Sequence, residues 1–372
     1  MSPSPSVAAP SIRRLSLLGV GKLATAGNQG FRNTLSGTIA MPTSRQWLLN
    51  GHPRDRQIAD DDFRLVEVDV PGPGAGQVLL RTRFLGFDPA QKGWMENIAD
   101  YVAPMAIGDV MRGSSICEVE ESNHARFAPG DLVTGSTGWR EWLLSDGEGL
   151  TKIATTLPPT AMLSVLGTTG VTAYCGLFKI GKPLAGDTVL VSGAAGATGS
   201  IVGQLAKIAG CRTVGIAGGQ DKCRWLVDEA GYDAAIDYKA GNLRDQIRRH
   251  CPSGIDVIFD NVGGAILNAM LGEIATGARV VICGGISRYE TGSLPTGPQN
   301  YFNLVFRRGT MRGFIVTDWA NEFAAIRKRI ETFVQQGKLA YREDIQHGFE
   351  NAPATLRRLF SGENRGKQLL QL

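Results

Sequence analysis

No run of about 18 apolar residues occurs in the 372-residue sequence, so nothing in it reads as a membrane-spanning helix. Histidine is scarce, with four in all, and the six cysteines stand at least 12 residues apart, without the C-x-x-C pairs of common zinc sites. Free thiols in a reducing compartment, with no metal, are the simple reading. A folded chain this long buries about 75% of the surface its unfolded form exposes, so it needs no disulfide or structural metal to be stable. Acidic residues are missing from residues 1–54, which hold Arg13, Arg14, Lys22, Arg32, Arg45 and Arg54. The remaining 318 residues carry 33 basic and 35 acidic side chains, so the body is near neutral although the net charge is +4. A neutral body offers nucleic acid no electrostatic footprint, and neither nucleic acid nor membrane is an expected partner. Glycine, by contrast, is abundant at 48 residues. It lacks the G-X-Y period of collagen and should mark tight turns and close backbone approaches. With 43% hydrophobic and 20% charged residues, the chain is too apolar for disorder and long enough for two domains.

Residues 1–44 form a leader that is Ser/Pro-rich at first, then mixes Arg, Leu and Gly without acid, as mitochondrial transit peptides do. The alternative is a start upstream of the true one, because Met41 directly precedes the first segment that reads as folded protein. The expected compartment is the cytoplasm, or the mitochondrion if the leader is a transit peptide. From 45 to 165, short strand candidates alternate with Gly/Pro/Asp turns: 63–68, 77–84, 115–119, 131–134 and 142–144. This predicts a mostly β domain, to which residues 337–372 return. Over 166–336 the rhythm is apolar strand, glycine turn and helix, with strands at 188–191, 213–217, 234–237, 256–259 and 279–283. Such alternation implies parallel strands with crossover helices, hence an α/β fold with a doubly wound sheet. A helix is predicted over 319–336, with Asp318 as N-cap, Phe323, Ile326, Ile330, Phe333 and Val334 on one face, and Gly337 at C′.

The strongest local signal is the run from Val189 to Gly199, an apolar strand entering a glycine turn, followed by the amphipathic stretch Ser200 to Lys207. Ala194, Gly196 and Gly199 take the three places of a G-x-G-x-x-G fingerprint, with Ala in the first; Ala197 and Thr198 complete the turn. Gly196 lets backbone approach a pyrophosphate, Gly199 lets helix pack closely on strand, and the helix N-terminus offers N–H groups to the anion. A dinucleotide is the expected ligand.

An enzyme that uses NAD places Asp or Glu at the end of the second strand, to accept hydrogen bonds from the ribose 2′-OH. Here that stretch is Ile216-Ala-Gly-Gly219, without a carboxylate, and Gly218 leaves room for a larger group. Lys222 and Tyr238 are placed to reach a 2′-phosphate, which favours NADP(H). The other reading of Lys222 is a solvated lysine in the helix's first turn. Asp221, which would argue for NAD, is read instead as the N-cap of that helix.

With these features in hand, the sequence resembles the zinc-independent medium-chain dehydrogenase/reductases, in the branch of the prostaglandin reductases, alkenal double-bond reductases and curcumin-type reductases. The resemblance rests on Phe87-Asp-Pro89, Ile107 to Met111, Ser122-Asn-His124, Ser192 to Ser200, Gly215 to Gly219, Lys222-Cys223, Asp260 to Gly264, Ile282 to Ser287 with Tyr289, and Asn364-Arg-Gly-Lys367, in order across residues 46–372. It implies a GroES-like catalytic domain beside the Rossmann domain, NADPH as hydride donor, and reduction of the C=C bond of an enone or alkenal. Lys222 and Tyr238 would hold the 2′-phosphate. Asn261, Cys283, Gly284, Ile286, Ser287 and Asn364 would follow the cofactor from adenosine to nicotinamide. Tyr289 would stand near the substrate carbonyl, with Asp88, Met111 and Tyr301 on the substrate side. Two departures stand out. Ala90-Gln-Lys-Gly93 replaces the family's Tyr-Met-Arg-Gly, and Gly167 to Tyr174 is about three residues shorter than usual.

Hydride delivery to the β-carbon of an enone builds charge on the carbonyl oxygen, and the phenol of Tyr289 is the expected donor to it, unless it only packs against the cofactor. Thr172 either meets the nicotinamide amide or, more simply, caps a helix. Arg307, Arg308 and Arg312 read as a solvated or inter-subunit face, and a homodimer is expected. Phe306, like Tyr301, is either pocket lining or core. A quinone reductase of the same superfamily and a non-catalytic NADPH-binding protein are the alternative functions.

Overall fold

Strand alternation in the first half decides which side chains turn inward. The computed structural model describes residues 42–289 and 297–372, Tyr289 by its backbone alone; residues 1–41 and 290–296 lie outside the described residues, while Thr43 and Ser44, assigned to the leader from sequence, belong to the first strand. β1 (Thr43–Leu49) and β2 (Phe63–Asp69) pair antiparallel, Trp47 opposite Leu65. β3 (Val78–Gly86) is followed by helix α1 (Ala90–Glu96), then by β4 (Ser115–Ser122), β5 (Leu132–Gly135), β6 (Trp142–Ser145) and β7 (Thr151–Lys152), which build an antiparallel sheet with it. Val78 and Leu80, two apart on β3, meet Cys117 and Val119 of β4 and Val133 of β5 in one core.

After α2 (Thr168–Cys175) comes the parallel sheet. Its strands are β8 (Thr188–Ser192), β9 (Arg212–Ala217), β10 (Ala234–Asp237), β11 (Ile255–Asp260), β12 (Ile274–Ile282) and β13 (Thr310–Gly313). Helices α3 (Ala197–Ile208), α4 (Gln220–Asp228), α5 (Leu243–His250) and α6 (Gly264–Leu271) make the crossovers, and the short α7 (Asn303–Phe306) precedes β13. The spatial order β10-β9-β8-β11-β12-β13 reverses between β8 and β11. That is the Rossmann order, and ligands bind beyond the carboxyl ends of the strands at such a switch point. Both faces of the sheet are covered. Val189 and Val191 face a core shared with α2 and α3, while Leu190 points the other way, toward α5 and α6.

α8 (Phe323–Gln335) starts later than its sequence pattern predicts. Residues 316–322 form a 3₁₀ segment that kinks at Trp319, whose ring packs on Phe314 at 6.0 Å, so Asp318 does not cap α8. Ile326 and Ile330 are its buried positions, and Gly337 follows at C′ with φ 67°. β14 (Glu343–His347), α9 (Ala352–Ser361) and β15 (Lys367–Gln371) end the chain. β15 pairs antiparallel with β3, Leu370 opposite Leu85, and β14 runs parallel to β15, so the last strands join the first sheet. Among the described residues no helix is long and apolar enough to cross a membrane.

Candidate active site

β8 delivers the chain into the glycine turn. Gly196 is the N-cap residue of α3 and brings no side-chain cap, which leaves the first-turn N–H groups open to an anion. At Gly199 an added Cβ would lie 2.4 Å from the Gly193 carbonyl oxygen and 2.9 Å from Ala194 Cα. The helix start is thus pressed against the turn and only glycine fits. Ala194 is fully buried beneath it.

The carboxyl ends of β8, β11 and β12 are laced together around Asp260, which is fully buried. Its Oδ1 accepts from Ser192 Oγ at 2.6 Å and from the Val262 N–H at 3.2 Å, and its Oδ2 from the Gly263 N–H at 2.9 Å. Burial raises the Asp260 carboxyl above its ordinary range, against these bonds. Asn261 donates its backbone N–H to Ser192 Oγ and its Nδ2 to the Ser192 carbonyl, at 2.9 and 2.8 Å. The N–H groups of Cys283 and Gly284 reach the Asp260 carbonyl, that of Ile286 reaches Asn261, and Ser287 donates both N–H and Oγ to the Val262 carbonyl. Burial, then the Asp260 charge, pushes the Cys283 thiol up to about 12, so it stays protonated.

Beyond β9, Gly218 forms a shelf. A Cβ there would meet the Tyr238 ring at 2.9 Å and Lys239 Cε at 3.2 Å. Tyr238 is 42% exposed and borders a cavity of about 430 Å³ between α5 and α6. Lys222 Nζ donates to the Gly362 carbonyl at 2.7 Å. Its pKa is lowered by burial first, then by the like charges of Lys239 and Arg365. Among the described residues neither Lys222 nor Lys239 has an acidic partner within ion-pair distance. Asp221 is not the N-cap; Gly219 is, and Asp221 pairs with Arg224 one turn on. An uncapped helix start, a glycine shelf and unmatched cations fit the charge of a phosphorylated dinucleotide.

The other end of the turn leads to a second cavity. Gly196 forms a parallel bridge with Gly366, and Asn364 Nδ2 donates to the Gly366 carbonyl at 2.9 Å. Gly366 has φ 89°, and a Cβ on it would stand 2.2 Å from the Arg342 carbonyl oxygen. The next residue, Lys367, is buried and pairs with Asp88. Both line a polar cavity of about 160 Å³ with Ser114, Ser136, Thr168 and Arg327. The Arg327 guanidinium donates to the Leu166 carbonyl at 3.0 Å, and burial lowers its pKa.

Not every expected residue meets these two places. Met111 is 1% exposed and packs in a core with Phe63 and Trp139, because its strand-like segment turns it inward; only Ser114, three residues on, reaches the cavity. Tyr301 is 58% exposed and lies edge-on to Phe302, which in turn packs on Phe306, all away from the polar cavity. Thr172 sits in the middle of α2, whose N-cap residue is Gly167, so it caps nothing. The Tyr289 side chain lies outside the described residues. The departure at Ala90 to Gly93 is the body of α1: Gln91 Nε2 donates to the Arg112 carbonyl at 2.7 Å, and Lys92 pairs with Glu96, both inside the protein. Lys239, Arg365, Lys367 and Arg327 were not predicted as site residues. Only the run Asn364-Arg-Gly-Lys367 pointed toward two of them. Among the described residues no three His, Cys, Asp or Glu side chains converge as metal ligands.

Sheet order and glycine turn, beside a strand-rich antiparallel part, define a Rossmann-type dinucleotide-binding protein. The family described as N-terminal domain of oxidoreductase matches residues 45–153, and that described as zinc-binding dehydrogenase matches 197–332. The NADPH-dependent curcumin reductase of Escherichia coli is 39% identical, over 88% of this chain and 97% of that protein. The NADP⁺-dependent 2-alkenal reductase of Nicotiana tabacum is 36% identical, over 87% and 95%. The crystal structure of CurA from Vibrio vulnificus in complex with NADPH is similar with a TM-score of 0.83 at 40% identity, covering 88% of this chain and 98% of that one. The chain belongs to the medium-chain dehydrogenase/reductase superfamily, in the branch that holds the curcumin and 2-alkenal reductases.

Proposed function

We propose that the protein is an NADPH-dependent reductase of the C=C bond in α,β-unsaturated ketones and aldehydes. The observation that carries this reading is that one segment joins the glycine turn to a polar cavity: Gly196 bridges Gly366, and the next residue, Lys367, pairs with Asp88 on the cavity wall. The NADPH and 2-alkenal chemistry in the relatives' names supports it. Ala194, Gly196, Ala197, Thr198 and Gly199 would carry the pyrophosphate; Gly218, Lys222 and Tyr238 the 2′-phosphate; and Asn261, Cys283, Gly284, Ile286, Ser287 and Asn364 the remainder. Bound there, NADPH would supply a hydride to the substrate β-carbon. Tyr289 ends the 3₁₀ segment Ile286–Tyr289 that Ser287 pins, and we assign it as donor to the carbonyl oxygen as charge gathers there. The α-carbon then takes a proton from Tyr289 or from water. A panel of enones, alkenals and quinones assayed with NADPH tests the reading. Saturated ketone or aldehyde is the expected product; quinone turnover without double-bond reduction, or no turnover at all, overturns it.

A homodimer through the outer edge of β13 belongs to the same proposal. Among the described residues no strand pairs with that edge, and Phe302, Val305, Phe306 and Met311 around it are exposed. A second copy of the same edge, related by a twofold axis, offers matching backbone donors and acceptors together with matching apolar cover.

A further inference from the structure

Three cations from three separate segments lie near one another: Lys239 borders the Gly218 shelf, and Lys239 and Arg365 both act on Lys222 as like charges. Lys222 comes from the first turn of α4, Lys239 from the turn after β10, and Arg365 from the loop that joins α9 to β15. The geometry is specific. Lys222 Nζ is spent on a backbone carbonyl of that loop, Gly362, at 2.7 Å, and Arg365 approaches Asp221, the neighbour of Lys222, at 3.9 Å. Asp221 is shared between Arg224 and Arg365, one carboxylate against two guanidiniums, so the group with Lys222 and Lys239 keeps a net positive charge. The loop itself is held at both ends. Gly362 closes α9 in the left-handed conformation, the Arg365 N–H donates to Asp344 Oδ2 at 3.0 Å, and Gly366 forms the bridge to Gly196. The backbone is thus anchored on both sides of Arg365.

We propose that Arg365 is a specificity-determining residue for NADPH: with Lys222 and Lys239 it completes the 2′-phosphate site from the C-terminal loop, and the phosphate takes the place of the Gly362 carbonyl as the partner of Lys222. A phosphate monoester carries about −1.5 to −2 charges near pH 7, which three cations match better than two. A guanidinium adds a planar pair of donors that an ammonium lacks. The loop also runs within one residue of Lys367 and the Asp88 pair, so the same segment that grips the phosphate borders the substrate cavity.

This inference rests on the proposed use of NADPH, and the test separates the two. Dissociation constants for NADPH, NADH and 2′,5′-ADP are measured by fluorescence or calorimetry on the full chain and on Arg365→Ala and Arg365→Glu. Arg365 is a surface side chain, so both variants should fold. Arg365→Ala is expected to weaken NADPH and 2′,5′-ADP about tenfold, Arg365→Glu more, and NADH in neither case. Amide exchange in residues 361–367 is expected to slow with 2′,5′-ADP and not with 5′-AMP. If the wild type prefers NADPH and both variants keep that preference, or if they lose NADH equally, the role of Arg365 is refuted while the function stands. If the wild type binds neither nucleotide, the function itself falls.

Discussion

At Ser192 a single buried hydroxyl donates to Asp260 and accepts from the Asn261 N–H, tying β8 to β11 where the cofactor is expected to lie. Ser192→Ala strips a bond from a buried carboxylate and leaves an N–H without its acceptor, so stability should fall by about 1–3 kcal/mol. The sign with pH follows from Asp260. Its folded pKa is raised, so its charged form burdens the fold, and this burden is absent at acid pH, where it is protonated in both states. The serine favours the charged form. Removing it should therefore cost least below the ordinary carboxylate range, where the Asn261 N–H still loses its acceptor, and most above the raised value; urea unfolding at acid and neutral pH measures both. A loss independent of pH would show that Asp260 does not sense the hydroxyl. Tyr289→Phe tests the proposed donor: turnover of an enone should drop about tenfold or more with NADPH affinity nearly unchanged, because one transition-state donor is removed. Unaltered turnover would assign the phenol to packing.

Among the elements, α3 shows how a helix is positioned by what it lacks. Gly199 meets the Gly193 carbonyl, and at Gly203 a Cβ would fall 1.9 Å from the Tyr232 ring, whose hydroxyl donates to the Gly199 carbonyl at 2.6 Å. Gly199→Ala must push α3 off the turn. It should lower stability by about 1–3 kcal/mol and abolish nucleotide binding, read by thermal unfolding with and without NADP⁺; a variant that still gains stability from NADP⁺ would contradict the fingerprint assignment. These positions were legible because strand, turn and helix follow one another within a dozen residues. The start of α8 was not. Its apolar spacing continues upstream through Trp319, but that indole packs on Phe314 and breaks the helix where local propensity would extend it. Nor does residue type alone show that Met111 turns into a core and Tyr301 outward to solvent.

For the whole molecule, the proposed homodimer turns on the edge of β13. Val305 is largely exposed, so Val305→Asp should leave the fold intact and place a charge inside the proposed interface. Sedimentation should show a dimer for the wild type and a monomer for the variant, and a monomeric wild type would sink the dimer. The parallel sheet, its glycine turn and the absent acid at the end of β9 were readable from sequence, since each depends on residues close together in the chain. The partners that complete the site come from afar. Lys222 meets a carbonyl 140 residues away, and Lys367 meets Asp88 across 279. Spacing along a chain encodes strands, turns and helix faces, because those repeat within a few residues. Which cation reaches which carbonyl or carboxylate depends on how two sheets close on one another, and only the folded chain brings those atoms together.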